Sequence, residues 1–237
     1  MIVRHCIILL VLIQFIIAGC SQAQGTAEVQ GVVKAFQHVY NGDQNGLPSF
    51  TISYRIWYRG NTSIQEIPIV NFVQDTLGKT SVTVAITHYS YINPDTKTYC
   101  SFPQMSLSLK GIKYFSEIDS VLKDGALDLY SDQPFEYEKI VRMRDTLENG
   151  VEYQRYQILK TINNIDVEIE SYLRCDKKGA IVTFLKSISD SLKCPIVKTN
   201  VYENGLLASV GEFEYLSNAL SSEEIRIFDL LEAGKQN

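Results

Sequence analysis

Residues 165–174 read IDVEIESYLR, and this stretch decides the fold class. Apolar and polar side chains alternate along it with a period of two, which is typical of a strand with one face against a core and one face in water. The first set is Ile165, Val167, Ile169, Ser171 and Leu173, and the second is Asp166, Glu168, Glu170, Tyr172 and Arg174. An antiparallel sheet is predicted, because such sheets commonly keep one solvated face.

Further strands extend outward from this one in both directions. Residues 50–59 (FTISYRIWYR) and 81–92 (SVTVAITHYSYI) are rich in β-branched and aromatic residues, and turns such as Asn149-Gly150 and Asn204-Gly205 separate later strands. We predict about nine or ten strands, joined by turns short enough for antiparallel neighbours. Residues 112–130 have no clear period and are predicted to be a short helix or a loop excursion.

Helical patterns flank the strands. Residues 28–40 place Val29, Val32, Val33 and Phe36 at helical spacing, which predicts an N-terminal amphipathic helix. At the other end, Ser221 and Glu224 have the spacing of a capping box before an apolar stripe. The predicted class is mainly β (α+β): a single antiparallel meander sheet with a helix at each end, in one domain over residues 26–237.

The N-terminus predicts export. Residues 6–19 read CIILLVLIQFIIAG, an apolar stretch of 14 residues that is broken only by Gln14 and follows Arg4 and His5. A membrane-spanning helix needs roughly 20 apolar residues, whereas the apolar region of a signal peptide needs about 7–15. Residues 1–19 are therefore interpreted as a signal peptide.

Two cleavage sites compete. Ile17-Ala18-Gly19-Cys20 resembles the bacterial lipobox, in which the Cys receives a lipid, and residues 20–25 would then form a tether. Cleavage after Ala23, before Gln24, is the alternative, since Ser21-Gln22-Ala23 resembles an ordinary signal peptidase site. Lipidation of Cys20 makes a membrane the partner through an N-terminal anchor. It predicts an outer-membrane-anchored or periplasmic protein of a Gram-negative bacterium.

Composition excludes other classes. With 45% hydrophobic and 21% charged residues, the chain is neither disordered nor of low complexity. The net charge of −5 becomes −6 when Arg4 leaves with the signal peptide. An acidic chain argues against a nucleic-acid partner held through phosphates.

Cysteine usage permits one bridge. Beyond Cys6 and Cys20, the chain has Cys100, Cys175 and Cys194. Cys175 and Cys194 are the candidate pair, because each lies at the end of a predicted strand; three unpaired thiols are the alternative. There is no CxxC spacing and His is scarce, so no metal site is predicted.

Catalytic signatures are absent from the sequence. It has no G-x-S-x-G, H-E-x-x-H, P-loop or G-x-G-x-x-G motif, so we predict a protein that is not an enzyme and binds no cofactor. One alternative is a Cys–His site. A hairpin that turns at residues 93–95 would set His88 close to Cys100, although no third group to orient them is identifiable.

Aromatic side chains are the other candidates for function. The chain has 14 Tyr and one Trp, and a sheet face lined with them could hold a sugar or a lipid tail. The alternative is that strands favour aromatics in any case. The candidate ligand-binding residues are Tyr54, Trp57, Tyr58, Tyr89, Tyr91 and Tyr99.

The order of lipobox, amphipathic helix, meander of long strands and terminal helix resembles the lipoprotein-carrier (LolA/LolB-like) family. The resemblance covers most of the chain beyond the signal peptide, in element order and not in a residue motif. It implies an open half-barrel of antiparallel strands, closed by helices around an apolar cavity for acyl chains. No functional residue of the family can be placed on this sequence. The resemblance implies a binding module for an apolar ligand, and the alternative is a structural or interaction protein of the cell envelope without a cavity.

Overall fold

The computed structural model describes residues 29–40, 46–74, 76, 80–123, 126, 139–162, 164–176, 194–217 and 219–234. They form twelve strands and two helices. The strands are β1 Gln30–Val39, β2 Phe50–Arg59, β3 Thr62–Gln74, β4 Thr80–Asn93, β5 Thr98–Phe102, β6 Lys113–Phe115, β7 Lys139–Arg142, β8 Thr146–Glu148, β9 Val151–Ile162, β10 Ile165–Leu173, β11 Ile196–Glu203 and β12 Leu206–Ser217. The helices are α1 Ile118–Lys123 and α2 Ser222–Ala233.

All described strands belong to one open antiparallel sheet. Its order is β6-β5-β4-β3-β2-β1-β12-β11-β10-β9-β7, with β8 paired to β9. Most neighbours follow each other along the chain, and β1 lies beside β12. The predicted mainly β class and the antiparallel pairing are confirmed. The short helix predicted within residues 112–130 is α1, preceded by the unpredicted strand β6.

The predicted N-terminal helix is wrong over Gln30–Val39, which form strand β1. The apparent helical spacing arises because both faces of this strand are buried. Val33 lies against one core, and its neighbour Val32 lies against another on the opposite face. As β1 is hydrogen-bonded to β2 and β12 on its two edges, the β-branched valines are in the environment that they favour.

The predicted C-terminal helix is confirmed as α2. Ser221 caps it, with its side chain accepting from the backbone N–H of Glu224 while the Glu224 carboxylate accepts from the backbone N–H of Ser221. Two otherwise unpaired backbone donors are thereby satisfied at the helix start. Ile227, Phe228 and Leu231 form the buried face of the helix.

Two apolar clusters lie on opposite faces of the sheet. Because cross-strand partners share a face, the pairing between strands shows which buried side chains lie on the same face of the sheet. One cluster, here called the core face, includes Val33, Ala35, Ile56, Tyr58, Ile92, Ile158, Leu173, Ile196 and Phe213. The other, here called the helix face, includes Val32, Trp57, Ile64, Tyr91, Cys100, Phe102 and the buried side of α2.

Candidate functional site

The six aromatic candidates do not meet on one face. Tyr54, Tyr58 and Tyr99 pack with the core face. The other three pack with the helix face, and they are Trp57, Tyr89 and Tyr91. Period-two alternation separates Trp57 from its neighbour Tyr58, although the two are adjacent in sequence. The structure therefore does not assemble these residues into a single aromatic surface.

On the helix face, the aromatic residues hold α2 in place. The Trp57 ring nitrogen donates to a Glu224 carboxylate oxygen at 2.5 Å. Tyr91 meets Phe228 edge to face, with ring centroids 6.2 Å apart. Both contacts join the middle of the sheet to a helix more than a hundred residues later in the chain, and we interpret them as structural.

A buried arginine completes this contact. The Arg59 side chain is 10% exposed, and it donates to Asp229 and Glu232 of α2 at 2.7 Å each. Its guanidinium also lies 5.1 Å from the centroid of the Phe228 ring. Charge-assisted hydrogen bonds of this kind fix orientation, so Arg59 sets the position of the helix on the sheet.

The core face contains the apolar surface that is best placed for a ligand. Its centre is packed, but toward one end of the strands its side chains are only half-buried. Val39, Phe50 and Ile52 line this end on β1 and β2, with Ile169 and Val201 on β10 and β11, and the exposed polar residue Gln37 lies opposite Ile52. Their neighbours Thr51 and Ser53, which point to the other face, are exposed. This apolar end can contact a hydrocarbon chain, and it offers no catalytic group.

Sequence reasoning missed these residues as candidates because it ranked aromatic side chains first. The signal was the alternation of residues 50–54, in which Phe50 and Ile52 fall on the same face as Tyr54. Burial raises the pKa of the Tyr54 hydroxyl well above its ordinary value. Tyr54 is half-buried, as Phe50 and Ile52 are, and it packs against the buried residues of the core face.

The Cys–His hypothesis is wrong in this structure. Cys100 is paired with Tyr91, and His88 lies three residues from Tyr91 along β4. Side chains alternate along a strand, so His88 and Cys100 point to opposite faces of the sheet. Burial also raises the pKa of the Cys100 thiol to about 12, which removes the thiolate that nucleophilic catalysis needs. The prediction centred the turn on residues 93–95. In the structure Asn93 lies opposite Thr98, so the centre of the turn lies later in the chain and Cys100 faces Tyr91.

A polar cluster on β9, β10 and β11 was also missed. The Glu170 carboxylate accepts from Arg155 at 2.9 Å, from the Tyr172 hydroxyl at 3.1 Å and from Asn200 at 3.3 Å. These side chains are on the face that the sequence predicted to be solvated, yet Tyr172 is 6% and Asn200 9% exposed. That prediction holds for Asp166 and is wrong for Tyr172, because neighbouring strands supply polar partners that sequence alternation cannot reveal.

Cys175 and Cys194 are joined by a disulfide in the structure. The bond connects the segment after β10 to the segment before β11. A cavity of about 290 Å³ lies beside it, and both polar and apolar surface line it. The lining residues include Asp145, Glu152 and Arg174. With these charged residues in its lining, the cavity differs from the predominantly apolar site expected for an acyl chain.

Several predictions fall outside the described residues. Cys20, the signal peptide and the tether are among them. Within the described ranges, no helix is long and apolar enough to cross a membrane. The same ranges contain no group of three or more His, Cys, Asp or Glu side chains arranged to hold a metal ion.

Comparison with known proteins gives no family. No family model matches the sequence, and no curated protein matches it. Among solved structures, LprF from Mycobacterium bovis is similar with a TM-score of 0.37 and 8% identity, over 82% of this chain and 88% of that one. PNGF-II is similar with a TM-score of 0.34 and 11% identity, over 86% of this chain and 33% of that one, so this chain spans about a third of its length. Neither similarity is close enough to carry an argument about function.

Proposed function

We propose that the chain is an exported, lipid-anchored protein of the bacterial envelope that binds an apolar ligand, such as an acyl chain, and catalyses no reaction. The observation that carries the proposal is the apolar end of the core face. There, Val39, Phe50 and Ile52 are half-buried, while Thr51 and Ser53 on the opposite face of β2 are exposed. Ligand sites in proteins are mostly apolar and preformed, as this surface is.

A curved sheet would make this surface concave. Eleven strands in one continuous order, spaced about 4.8 Å apart, would be roughly 50 Å wide if they were flat, and open sheets of that size usually curl. The half-barrel is therefore part of the proposal. It would enclose the core face and leave the helix face, with α2, on the outside.

Ligand binding is tested with a matched pair of variants. Ile52→Lys places a charge on the core face, and Ser53→Lys places the same charge on the opposite face of the same strand. We expect Ile52→Lys to weaken binding of a fluorescent fatty acid at least tenfold and Ser53→Lys to leave it unchanged. Native mass spectrometry of the wild-type protein should show a co-purified lipid. If neither lipid nor fatty acid binds to the wild-type chain, the proposal fails.

Anchoring is tested separately. Mass spectrometry of the mature N-terminus should find a lipid on Cys20, and Cys20→Ser should release the protein from the membrane fraction. Cys6→Ser is the control, because it alters the signal peptide and not the attachment residue. A mature chain that begins with unmodified Gln24 would refute lipidation and leave ligand binding untouched.

A second candidate is an interaction protein of the envelope that holds no ligand. The observation in its favour is the number of apolar side chains exposed on β3 and β4. Phe72 is 62% and Val73 54% exposed. This candidate predicts a protein partner and a core face that binds no fatty acid.

A further inference from the structure

A row of small and polar residues crosses the apolar core face. Gln37 of β1 pairs with Gly211 of β12, Gly211 pairs with Thr199 of β11, and Thr199 pairs with Ser171 of β10. Since cross-strand partners share a face, these four residues lie side by side across four neighbouring strands. They are called the polar row below. Gln37 is exposed and Thr199 is half-buried, so a ligand on the core face can reach both.

Apolar residues border the polar row on both sides. Residues two positions away along the same strands share its face. On one side they are Val39, Val201 and Ile169 of the half-buried apolar end, with Ser209 among them, and on the other side they include the buried residues Ala35 and Phe213. The row therefore places hydrogen-bonding groups next to the surface that is proposed to contact a hydrocarbon chain.

The hydrogen-bonding capacity of the row is not used within the described chain. Ser171 is 0% exposed, and its hydroxyl has no hydrogen-bond partner, which is unfavourable for a buried polar group. Among the described residues, no hydrogen bond involves the side chain of Gln37 or of Thr199 either. Polar side chains on the opposite face are paired with each other, as Gln157 is with Glu168 at 2.6 Å. The polar row thus differs from an ordinary solvated sheet face.

Gly211 leaves a gap in the middle of the row. A Cβ atom at this position would lie 2.7 Å from Thr199 Oγ1, so the Thr199 hydroxyl is directed toward Gly211 and the strand of Gln37. The φ angle of Gly211 is not positive, so its backbone conformation does not require glycine. Glycine within a strand weakens the strand and often marks a close approach of a ligand. The gap is one side chain wide and lies between two side chains that can donate and accept.

We infer that the polar row binds the uncharged head group of an amphiphilic lipid, such as the glycerol ester of a monoacylglycerol, while the acyl chain of the lipid lies on the apolar end. This inference rests on the proposed ligand binding at the core face, and it adds the chemical class of the ligand. The Gln37 amide and the Thr199 hydroxyl each donate and accept hydrogen bonds, as the hydroxyl and ester groups of such a head require. The head group lies over Gly211, between these two side chains.

The charges around the row favour an uncharged head group over a carboxylate or a phosphate. No described residue of the row, or of the apolar end beside it, is charged. Along the row, the nearest described charge is that of Arg142, two strands beyond Ser171, and it is paired with Asp145 at 2.5 Å. Beyond the apolar end, Lys160 and Glu203 lie on either side of Val167 and have opposite charges. An anionic head group on the row would lose water without gaining an unpaired positive partner.

Three ligands of equal chain length test the class of head group. Monolauroylglycerol, laurate and dodecane compete with a fluorescent fatty acid for the wild-type protein, each below the concentration at which it aggregates. We expect monolauroylglycerol to displace the fluorescent fatty acid at a concentration at least tenfold lower than laurate or dodecane needs. Equal displacement by dodecane or by laurate would overturn the inference and leave the proposed ligand binding intact. If the protein binds neither the fluorescent fatty acid nor monolauroylglycerol, both proposals fail.

Variants of the row test its residues. Thr199→Val removes the hydroxyl at nearly constant shape, Gln37→Leu removes the amide at an exposed position, and Gly211→Ala fills the gap without removing a polar group. We expect each of them to reduce the preference for monolauroylglycerol over dodecane at least fivefold and to leave the affinity for dodecane unchanged. The control is Ser53→Ala, which removes an exposed hydroxyl from the opposite face of β2 and should change neither affinity.

Circular dichroism of each variant checks that it folds. The exposed position of Gln37 makes Gln37→Leu the variant whose folding is least at risk. A preference for monolauroylglycerol that is the same in Gln37→Leu and Thr199→Val as in the wild-type protein would overturn the inference. An equal loss of affinity for both ligands would show that these residues support the sheet and do not contact a head group, which would also overturn it.

Discussion

The buried carboxylate of Glu66 accepts the backbone N–H of Arg55 at 2.7 Å and binds the guanidinium of the same residue at 2.8 and 3.0 Å. The β2–β3 ladder ends at the pair of Ile56 and Gln65, and Glu66 is the next residue of β3. One side chain therefore replaces the next rung of the backbone ladder. The backbone pairing between β2 and β3 ends at this exchange, although the Phe50 and Phe72 rings of the two strands still meet edge to face, with centroids 5.8 Å apart.

We expect Glu66→Ala to destabilise the protein by about 2 kcal/mol, because it leaves a backbone donor unsatisfied and removes charge-assisted hydrogen bonds. Glu66→Gln should cost less, since the amide oxygen can still accept from Arg55. Urea unfolding measures both. Equal losses for the two variants would show that charge, and not the backbone contact, carries the effect.

Arg59→Ala should loosen α2 from the sheet. It removes two hydrogen bonds and a contact with Phe228, and we expect a loss of about 2 kcal/mol in unfolding free energy. Hydrogen exchange should increase in residues 222–233 more than in β9 and β10. The control is Arg226→Ala on the exposed side of the helix, which should change neither quantity. Unchanged exchange in the helix of Arg59→Ala would contradict this role.

The disulfide between Cys175 and Cys194 closes a segment with a sequence separation of 19 residues. A loop of that size stabilises a fold by about 3 kcal/mol through its effect on the unfolded chain. Reduction should therefore lower the urea midpoint of the wild-type protein. The double variant with Ser at both positions should show the lower midpoint with or without reductant. A wild-type midpoint that does not respond to reductant would argue against the bridge.

Alkaline pH should unfold the protein above pH 10. Burial raises the pKa of the Tyr172 hydroxyl to about 12, with Glu170 adding to the effect, and burial raises the pKa of the Tyr91 and Tyr215 hydroxyls further. In the unfolded chain these phenols ionise near 10, so the unfolded state releases protons first as the pH rises. The stabilisation is complete below pH 10 and declines through about 12.

Tyrosinate absorbance and circular dichroism against pH measure this effect together. We expect part of the absorbance change to occur only when the structure is lost. In a chain unfolded in urea, the tyrosine hydroxyls should titrate in one step near the ordinary pKa of tyrosine. Complete titration of a still folded protein near pH 10 would contradict the prediction.

The alternation of residues 165–174 and 50–59 was sufficient to predict an antiparallel β protein, and the capping box at Ser221 was sufficient to predict α2. Both signals are local, because they depend on side-chain spacing and on hydrogen bonds within one turn. The same local reasoning gave a helix for residues 30–39. Valines buried on both faces of a strand produce the spacing of a helix, and only the neighbours on each side distinguish the two.

For the candidate site, too, local sequence patterns predicted some features and the tertiary structure decided others. Sequence alone predicted an exported chain with abundant aromatic residues in its strands, and it named Cys175 and Cys194 as a pair. Tertiary structure decided which residues share a surface. Register put Trp57 and Tyr58 on opposite faces, moved His88 away from Cys100 and left Phe50 and Ile52 at a half-buried end of the core face. It also set where the β2–β3 and β4–β5 pairings end, because these ends depend on contacts between distant segments, which no local pattern encodes.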